Sequence, residues 1–170
     1  MQNRKQSGFS LIELLIVVVI IGIIAAIAIP NLLAARRASN EGSAVSAMRT
    51  LHGAQMTYAS SVGGGGYAGT ASGTADVVAF TQLLASNIVD PVLGSGSKAG
   101  YAFRGGRTAS TATVPATFFF TANPLTTSGI TATGTRRFGI ATDGVIKADA
   151  AAANLATQFT DVTVASASAL

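Results

Sequence analysis

The 170-residue sequence contains no cysteine, no tryptophan and only one histidine. Without cysteine the chain forms no disulfide, so its C-terminal region must be held by packing, strand pairing or neighbouring chains. Catalysis by a cysteine thiol is excluded for the same reason. The one histidine, His52, lies within a predicted helix, where a surface or packing role is favoured over a catalytic one. No G-x-S-x-G sequence marks a nucleophilic serine. These absences predict a protein that is not an enzyme.

Charged residues are also scarce, at 11% of the chain. The formal net charge is +4 and falls to +2 if Arg4 and Lys5 are removed. From Ala59 onward six basic residues stand against five acidic ones, so this part is nearly neutral. An excess this small makes nucleic-acid binding a secondary interpretation. The basic residues that could gather on one rim of a sheet are Lys98, Arg104, Arg107, Arg136 and Arg137.

No pattern of metal or cofactor ligands stands out in the sequence. Asp143 and Asp149 lie near a predicted hairpin turn, where Asp is common in any case, and no carboxylate cluster has the spacing of a calcium loop. The glycines of residues 94–100 are spaced G-x-G-x-x-x-G, one residue longer than the dinucleotide-binding fingerprint. This segment is typical of a flexible connector. We therefore expect no cofactor and no metal.

One long apolar run carries no charge at all. It covers 22 residues, from Leu14 to Ala35. As a helix with a rise of about 1.5 Å per residue it would be about 33 Å long, enough to cross the core of a bilayer. Glu13 lies immediately before it. Because an ionised carboxylate beside hydrocarbon is costly unless it is paired, Glu13 needs a cationic partner.

The segment before the apolar run is short and polar. No small-residue cleavage site follows a short apolar core, as it would in a secretory signal. The natural break lies between Gly8 and Phe9, so cleavage there would leave the apolar run on the mature chain and create an α-amino group on Phe9. That amine would lie four residues before Glu13, on the same helix face. It could pair with Glu13 of its own chain or with Glu13 of a neighbouring copy.

Residues 5–14 read KQSGFSLIEL, which resembles the processing motif of type IV pilins and of type II secretion pseudopilins. Gly22, Ala25, Ala26 and Pro30 continue the resemblance. It covers roughly the first third of the chain and says much less about the rest.

In that family a prepilin peptidase cuts after the glycine and methylates the new N-terminus, and the glutamate guides each subunit into a helical filament. The resemblance therefore implies cleavage after Gly8, N-methylation of Phe9 and an assembly role for Glu13. It also implies polymerisation of the chain with itself, aided by an assembly ATPase and membrane platform proteins. The precursor would span the inner membrane once, and the assembled filament would lie at the cell surface and serve adhesion, motility or DNA uptake.

Two other interpretations remain open. The chain could be a pseudopilin of a type II secretion system, although pseudopilin heads more often carry a calcium site, and none is clear here. It could instead be a periplasmic binding or enzymatic domain on a fixed membrane anchor. The processing motif at Gly8 and Phe9 disfavours this last interpretation, because a plain anchor would not need it.

Beyond the apolar run, the pattern predicts that the helix continues to about residue 61. Apolar positions recur at helical spacing, with one polar member, and four glycines at residues 63–66 end the helix. Arg37 and Glu41 are spaced for an ion pair on the polar face. Gly22 and Pro30 are weak points, which predict either a kink or a segment that unwinds when subunits stack. The predicted stripe consists of Ala44, Val45, Met48, Leu51, Ala54, Gln55 and Tyr58.

The sequence as a whole predicts an α+β fold, a long N-terminal helix packed on a small antiparallel sheet. A short helix is expected between Asp76 and Asn87, and the last residues, 161–170, as an edge strand or a frayed tail. Three or four strands are expected, with one sheet face against the helix and one outward. Strand patterns lie at residues 100–104, 117–121, 137–141 and 145–148, the last two joined by a turn at Asp143-Gly144. The expected regions are a leader at 1–8, a helix at 9–62 (9–35 membrane or filament core, 36–62 amphipathic), a glycine-rich connection at 63–98 and the head at 99–170.

The processing motif gives a direct prediction. We expect the mature protein to begin with N-methylated Phe9 and to lack residues 1–8, because the peptide bond after Gly8 is the expected cleavage site. Mass analysis of the N-terminal peptide from the membrane or filament fraction measures this. A filament subunit that retains Arg4 and Lys5 would contradict it.

Overall fold

The computed structural model describes residues 9–170, so the expected leader, including Gly8, lies outside the described residues. By its contacts the chain divides into two compact units, with the boundary between Ala35 and Arg36. The helices and strands in chain order are α1 (Leu11–Ser61), α2 (Val78–Ala85), α3 (Pro91–Gly94), β1 (Ser97–Lys98), β2 (Tyr101–Thr108), β3 (Thr117–Pro124), β4 (Arg137–Ala141), β5 (Ile146–Asp149), a 3₁₀ turn (Ala152–Asn154) and α4 (Asp161–Ser166).

The α+β fold class is confirmed, with a long N-terminal helix and an antiparallel sheet. From Arg36 onward one stripe of α1 is buried against the sheet, as the helical periodicity predicts. Met48 and Leu51 are fully buried, and Tyr58 is half-buried at the edge of the same core. After Ser61 the glycine run ends the helix, and Gly64 and Gly65 have positive φ angles, which glycine adopts without steric cost.

Gln55, the one polar member of the stripe, is completely buried. Its side chain amide accepts a hydrogen bond from the N–H of Ala68 at 2.8 Å and donates one to the carbonyl of the same residue at 2.9 Å. A buried amide must be paired in this way to avoid a desolvation penalty. Gln55 therefore fixes the chain that follows the glycine run against α1.

The sheet is an antiparallel meander of five strands in the order β1-β2-β3-β4-β5. The expected count of three or four strands was too low, because the two residues of β1 pair with the start of β2. The interpretation of residues 94–100 as a flexible connector was also wrong, since they include the end of α3 and all of β1. Asp90 begins α3 by accepting a hydrogen bond from the N–H of Leu93 at 2.9 Å, and Pro91 occupies the first helical position.

The three phenylalanines of β3 alternate between two buried faces. Phe118 and Phe120 lie in the main core with α1 and α2, whereas Phe119 packs on the opposite face with Phe159 and Val164. The expectation that this second face points outward was wrong. The C-terminal segment covers it, and that is why β3 is buried along nearly its whole length.

The C-terminal residues also differ from the expected edge strand or frayed tail. They form α4, whose start is closed by a capping box in which the side chains of Thr160 and Thr163 each bond to the other's backbone. Only beyond α4 does the chain return to the sheet, where Ala169 forms a single antiparallel bridge with Lys147.

The side chain of Arg137 attaches the C-terminal segment to the sheet, in a chain that has no cysteine to form a disulfide. Its Nε and Nη2 donate to Asp149 Oδ2 at 3.1 and 2.8 Å, and Nη1 donates to the carbonyl of Thr157 at 2.8 Å. The guanidinium carbon lies 4.0 Å from the centre of the Phe159 ring, a cation–π contact. The side chain of Arg137 is only 8% exposed. We call these four residues the Arg137 clamp.

Glu41 departs from the expected ion pair with Arg37. It is buried, and its carboxylate accepts hydrogen bonds from the N–H and hydroxyl of Thr135, both at 2.7 Å, and from Arg136 Nε at 2.9 Å. Burial opposes ionisation, but the bonds from Thr135 and Arg136 outweigh it and lower the pKa of Glu41. Arg37 instead donates to the carbonyls of Gly129 and Ala132. The loop between β3 and β4 is thus tied to α1 by polar contacts.

The core stripe of α1 predicts a clear difference between two substitutions on the same helix. Leu51→Ala should lower the free energy of unfolding by about 2–5 kcal/mol, because Leu51 is fully buried and truncation leaves a cavity. Met56→Ala, at a side chain that is 37% exposed, should cost about 0.5 kcal/mol or less. Denaturant unfolding of the detergent-solubilised chains measures both. Equal losses would show that the stripe is not the core contact.

The Arg137 clamp predicts that acid loosens the C-terminal segment. Hydrogen bonds from the N–H of Ala151 and the side chains of Asn154 and Arg137 lower the pKa of Asp149 below its ordinary 3.8. A carboxyl with a lowered pKa stabilises the fold fully above its unfolded pKa, and this stabilisation is lost as the pH falls through the folded pKa. Asp149→Asn should therefore be less stable than the parent at pH 7, and the gap should shrink below about pH 3.8. Denaturant unfolding midpoints of the parent and of Asp149→Asn, at pH 7 and below about pH 3.8, measure this difference in stability. A difference that does not change with pH would contradict the role of the ionised carboxylate.

Candidate functional site

The side chain of Glu13 caps the start of α1. The first turn is formed by the N–H groups of Glu13 and Leu14, which donate to the carbonyl of Ser10 at 3.1 and 3.3 Å. The Glu13 carboxylate turns back and accepts a hydrogen bond from the N–H of Ser10 at 2.9 Å. This is the side-chain half of a capping box, in which an acidic residue at the third helical position satisfies the N–H of the residue that caps the helix.

The capping bond leaves most of the Glu13 carboxylate available to another group. The residue is exposed, and one N–H occupies one of its two oxygens. The ion pairs within residues 9–170 are Arg136–Glu41 and Arg137–Asp149, so Glu13 has no ion-pair partner in that part of the chain. The start of the helix contributes a partial positive charge that favours the carboxylate, but it supplies no full cation.

Phe9 lies four residues before Glu13 in the sequence and two residues before the helix begins. It is 80% exposed. The structure thus places Phe9, Ser10 and Glu13 together at one end of α1, while Gly8 lies outside the described residues. The expected roles of Gly8 and Phe9 in processing, and of Glu13 in assembly, stay predictions.

The apolar part of α1 that follows is exposed on all sides. Among the described residues α1 is the one helix that is long and apolar enough to cross a membrane, and none of its most apolar stretch is buried. A helix that is hydrophobic all round needs lipid or other helices as surroundings. The large apolar side chains that are exposed here are Phe9, Leu11, Ile12, Leu14, Leu15, Ile16, Val17, Val18, Val19, Ile20, Ile21, Ile23, Ile24, Ile27, Ile29 and Leu32.

A shallow apolar groove of about 320 Å³ lies along α1, on a face of the helix that does not include Glu13. Leu11, Leu14, Leu15, Val18 and Val19 line it. The Glu13 carboxylate, which has no ion-pair partner within residues 9–170, and the exposed apolar side chains around it together form a surface with one charged and one apolar part. Such a surface fits a partner that brings a cation and an apolar side chain close together.

Gly22 and Pro30 do not interrupt α1 in this structure. The helix is continuous through both, and the side chain of Asn31 donates to the carbonyl of Ile27 at 3.1 Å near the proline. A side chain at position 22 would meet nothing within 4 Å, so packing within this chain does not require the glycine. Whether either position unwinds in an assembly stays a prediction.

Four of the five basic residues that were considered for a rim of the sheet make polar contacts within the head. Arg136 and Arg137 bind different carboxylates, Arg107 donates to the carbonyl of Gly69 at 2.7 Å, and Arg104 donates to that of Phe103 at 2.7 Å. Each of these four side chains is engaged within the head. The hypothesis of a nucleic-acid surface gains no support from them.

The remaining polar candidates have local roles. His52 is half-buried, and its ring centre lies 5.4 Å from that of Phe118, in a packing contact. Asp143 accepts a hydrogen bond from the N–H of Val145 within the hairpin turn, and Asp149 belongs to the Arg137 clamp. Within residues 9–170 no three His, Asp or Glu side chains are placed to hold a metal ion.

Comparison with known proteins gives matches to the N-terminal part of the chain. Residues 3–29 match the family model of the prokaryotic N-terminal methylation motif. The type IV major pilin protein PilA of Myxococcus xanthus is 47% identical over 56 residues, which are 33% of this chain and 26% of that protein. The type II secretion system core protein G of Aeromonas hydrophila is 41% identical over 58 residues, 34% of this chain and 41% of the relative.

A third relative, the type IV wide pilus major component PilA4 of Thermus thermophilus, is 63% identical over 38 residues, 22% of this chain and 29% of that protein. The chain thus aligns with less than half the length of each of these relatives. No solved structure matches the chain. The resemblance of the N-terminal segment to pilins and pseudopilins is confirmed, and the head is described by its own structure alone.

Proposed function

We propose that this chain is a structural subunit, a pilin, that polymerises into a surface filament of the type IV pilus kind. The observation that carries the proposal is the apolar part of α1, most of which lies within the matched methylation motif and none of whose most apolar stretch is buried by residues 9–170. The similarity to the type IV pilins of two bacteria supports it. The role is structural rather than catalytic, and the filament would serve adhesion, motility or DNA uptake.

Processing comes first in the proposed sequence of events. A prepilin peptidase cuts after Gly8 and methylates the new amino group of Phe9. Phe9 lies two residues before the first helical residue, Leu11, and is exposed. The apolar helix stays on the mature chain, and the precursor spans the inner membrane once.

Assembly then exchanges one apolar environment for another. In the membrane, lipid surrounds the apolar part of α1, and in the filament the helices of other copies do. Because the apolar surface is removed from water in both states, their free energies can be close. An assembly ATPase and membrane platform proteins would drive the exchange in one direction.

Glu13 selects where each copy docks in this proposal. Its carboxylate has no ion-pair partner within residues 9–170 and lies among exposed apolar side chains, including those of Ile12 and Leu14. The mature N-terminus of a neighbouring copy offers a cation, the amine of Phe9, and an apolar ring in one residue. We propose that this residue is the one that the surface around Glu13 accepts.

A second candidate function is a pseudopilin of a type II secretion system. The similarity to core protein G of Aeromonas hydrophila favours it specifically. The alignments with that protein and with the pilin PilA each cover only about a third of this chain, 34% and 33%, so they do not separate the two. A membrane-anchored periplasmic domain with a fixed helix is the more distant alternative, and the methylation motif disfavours it.

Imaging and composition of filaments separate these functions. Electron microscopy of cells that make this chain from its own promoter should show surface filaments, and mass spectrometry of sheared filaments should identify residues 9–170 as a subunit. A chain that is found only in the envelope, together with loss of protein secretion when its gene is deleted, would favour the pseudopilin.

Glu13→Gln tests the docking mechanism without disturbing the helix start. Glutamine keeps the side-chain oxygen that accepts the N–H of Ser10, so the cap stays, and only the charge is removed. Cleavage and membrane insertion should be nearly unchanged, since neutral glutamine is easier to bury. Filament yield should fall greatly, because leaving the partner cation buried and unpaired costs about 3–5 kcal/mol, roughly 10²- to 10⁴-fold per added subunit.

Ser10→Ala is the matched control, because it changes the neighbouring side chain and keeps both the charge of Glu13 and the backbone N–H that it caps. We expect this variant to form filaments. The yield of sheared filaments per cell, normalised to membrane-bound subunit, is the measurement. A normal yield from Glu13→Gln would refute the pairing with Phe9 and leave Glu13 as a helix cap.

A further inference from the structure

The loop between β3 and β4, residues 125–136, is tied to α1 close to the end of the apolar run. Arg37 Nη2 donates to the carbonyl of Gly129 at 2.9 Å, and Arg37 Nε donates to the carbonyl of Ala132 at 3.3 Å. Arg37 is the second residue after Ala35, which ends the charge-free run. The loop is therefore attached to α1 at the point where apolar residues give way to charged ones.

The conformation of this loop is also fixed by hydrogen bonds of its own. The N–H of Thr133 donates to the carbonyl of Thr126 at 2.9 Å, and the N–H of Thr126 donates to the hydroxyl oxygen of Thr133 at 3.2 Å. These bonds close residues 127–132, which we call the loop tip. Within it Gly129 has a φ of 75°, which glycine adopts without steric cost, and its carbonyl is one that Arg37 holds. The loop tip is thus formed before any partner arrives, which lowers the entropy cost of binding one.

The loop tip presents an isoleucine to the outside. Ile130 follows Gly129 directly and is 76% exposed, and Leu125 at the start of the loop is 58% exposed. Single exposed apolar side chains are common on protein surfaces, so their exposure alone indicates no partner. Residues 125–135, however, also carry no charged side chain. Such a segment can enter the boundary between lipid headgroups and acyl chains without removing an ion from water.

Positive charge lies next to the loop tip. Arg36 is exposed, and Arg37 bonds to the tip through neutral carbonyls, which leave its charge uncompensated. Glu41, one turn further along α1, is already paired with Arg136. Within residues 9–170 neither Arg36 nor Arg37 has an ion-pair partner. Arginines beside an apolar tip complement a surface that has phosphates above hydrocarbon.

We infer that the loop tip, with Ile130 exposed on it, lies in the headgroup region of the phospholipid bilayer while the chain is in the membrane. The inference rests on the proposed function, in which residues 14–35 span the membrane and Arg36 and Arg37 follow at the level of the headgroups. Arg37 holds the loop tip at that level through the carbonyl of Gly129, and Ile130 adds apolar contact with lipid. The head is thereby held against the membrane surface before assembly.

A fluorophore on a single introduced cysteine tests the inference, because the sequence contains no cysteine. The whole chain with Ile130→Cys is labelled with nitrobenzoxadiazole and placed in vesicles of phosphatidylethanolamine and phosphatidylglycerol. Lipids with a nitroxide on the headgroup should quench this label. Val114→Cys is the matched control, because Val114 is also β-branched and exposed, at 53%, but lies in the loop at the other end of the eight-residue strand β3, about 25 Å away along the strand.

Quenching at residue 130 should be at least about twofold stronger than at residue 114, because a side chain in the interface lies within about 5–10 Å of the boundary between headgroups and acyl chains. Equal quenching at the two positions would overturn the inference. A blue-shifted label at residue 130 that lipid does not quench, and whose shift disappears as the chain is diluted in the vesicles, would assign the loop tip to a second copy and would also overturn it.

A third label separates a failure of this inference from a failure of the proposed function. Ile24→Cys lies near the middle of the charge-free run, and lipids with a nitroxide deep in the acyl chain should quench its label if α1 spans the bilayer. Quenching at residue 24 without stronger quenching at residue 130 than at residue 114 would overturn the lipid contact alone. No quenching at residue 24 would overturn the membrane step of the proposed function and the lipid contact together.

Arg37→Ala tests how the loop tip is placed. It removes the two hydrogen bonds to Gly129 and Ala132, so the label at residue 130 should lose much of its quenching by the headgroup nitroxide. Arg36→Ala removes the same charge from the neighbouring residue and keeps both bonds, so most of the quenching should remain. Equal quenching in the two variants would contradict the role of Arg37 in holding the loop tip at the headgroups.

Discussion

The organisation of this protein depends on an apolar stretch of helix that no part of residues 9–170 buries. From Leu11 to Ala35 the residues of α1 other than Ala25 and Leu33 are exposed, and water is an unfavourable solvent for their apolar side chains. The same helix continues past Arg36 as a structural element of the head, where one stripe is buried against the sheet. Burial of the first part must come from outside the chain, from lipid or from other copies. In our account the chain uses both in turn.

The carboxylate of Glu13 marks one defined position on this otherwise uniformly apolar surface. An apolar helix can shift along another apolar helix with little change in free energy. A buried charge, in contrast, is tolerated only where an opposite charge lies next to it. Glu13 first completes the start of its own helix by accepting the N–H of Ser10, so its position is set before any partner arrives. The pairing that we propose with the amine of Phe9 then fixes the register between neighbouring copies.

Several parts of the fold were predictable from local patterns. The stripe around Met48 and Leu51, the end of α1 at the glycine run, and the turn at Asp143-Gly144 all follow from periodicity or from residues that favour one backbone conformation. The start of α1 was also predictable, because the residues of the processing motif that precede and begin the helix are contiguous in the sequence. Even the capping bond of Glu13 had a visible signal in the spacing of Ser10 and Glu13.

What could not be predicted involves partners far apart in the sequence. Glu41 looked like a surface residue paired with Arg37, but tertiary contacts bring Thr135 and Arg136 to it, and no local pattern shows that. The Arg137 clamp likewise joins a strand to a C-terminal segment that was expected to be an edge strand or frayed. Phe119 was expected on an open face for the same reason, since its cover comes from residues 159–164. These contacts perform, without cysteine, the role that a disulfide would have in the C-terminal region.

Near-atomic imaging of the filament would show which group faces the Glu13 carboxylate of each copy. The account predicts that residues 11–35 of each copy are buried against the corresponding helices of other copies, with the amine of one Phe9 within about 4 Å of the Glu13 carboxylate of a neighbour. A filament in which these helices are surrounded by lipid or solvent, or in which Glu13 faces away from every Phe9 amine, would contradict it.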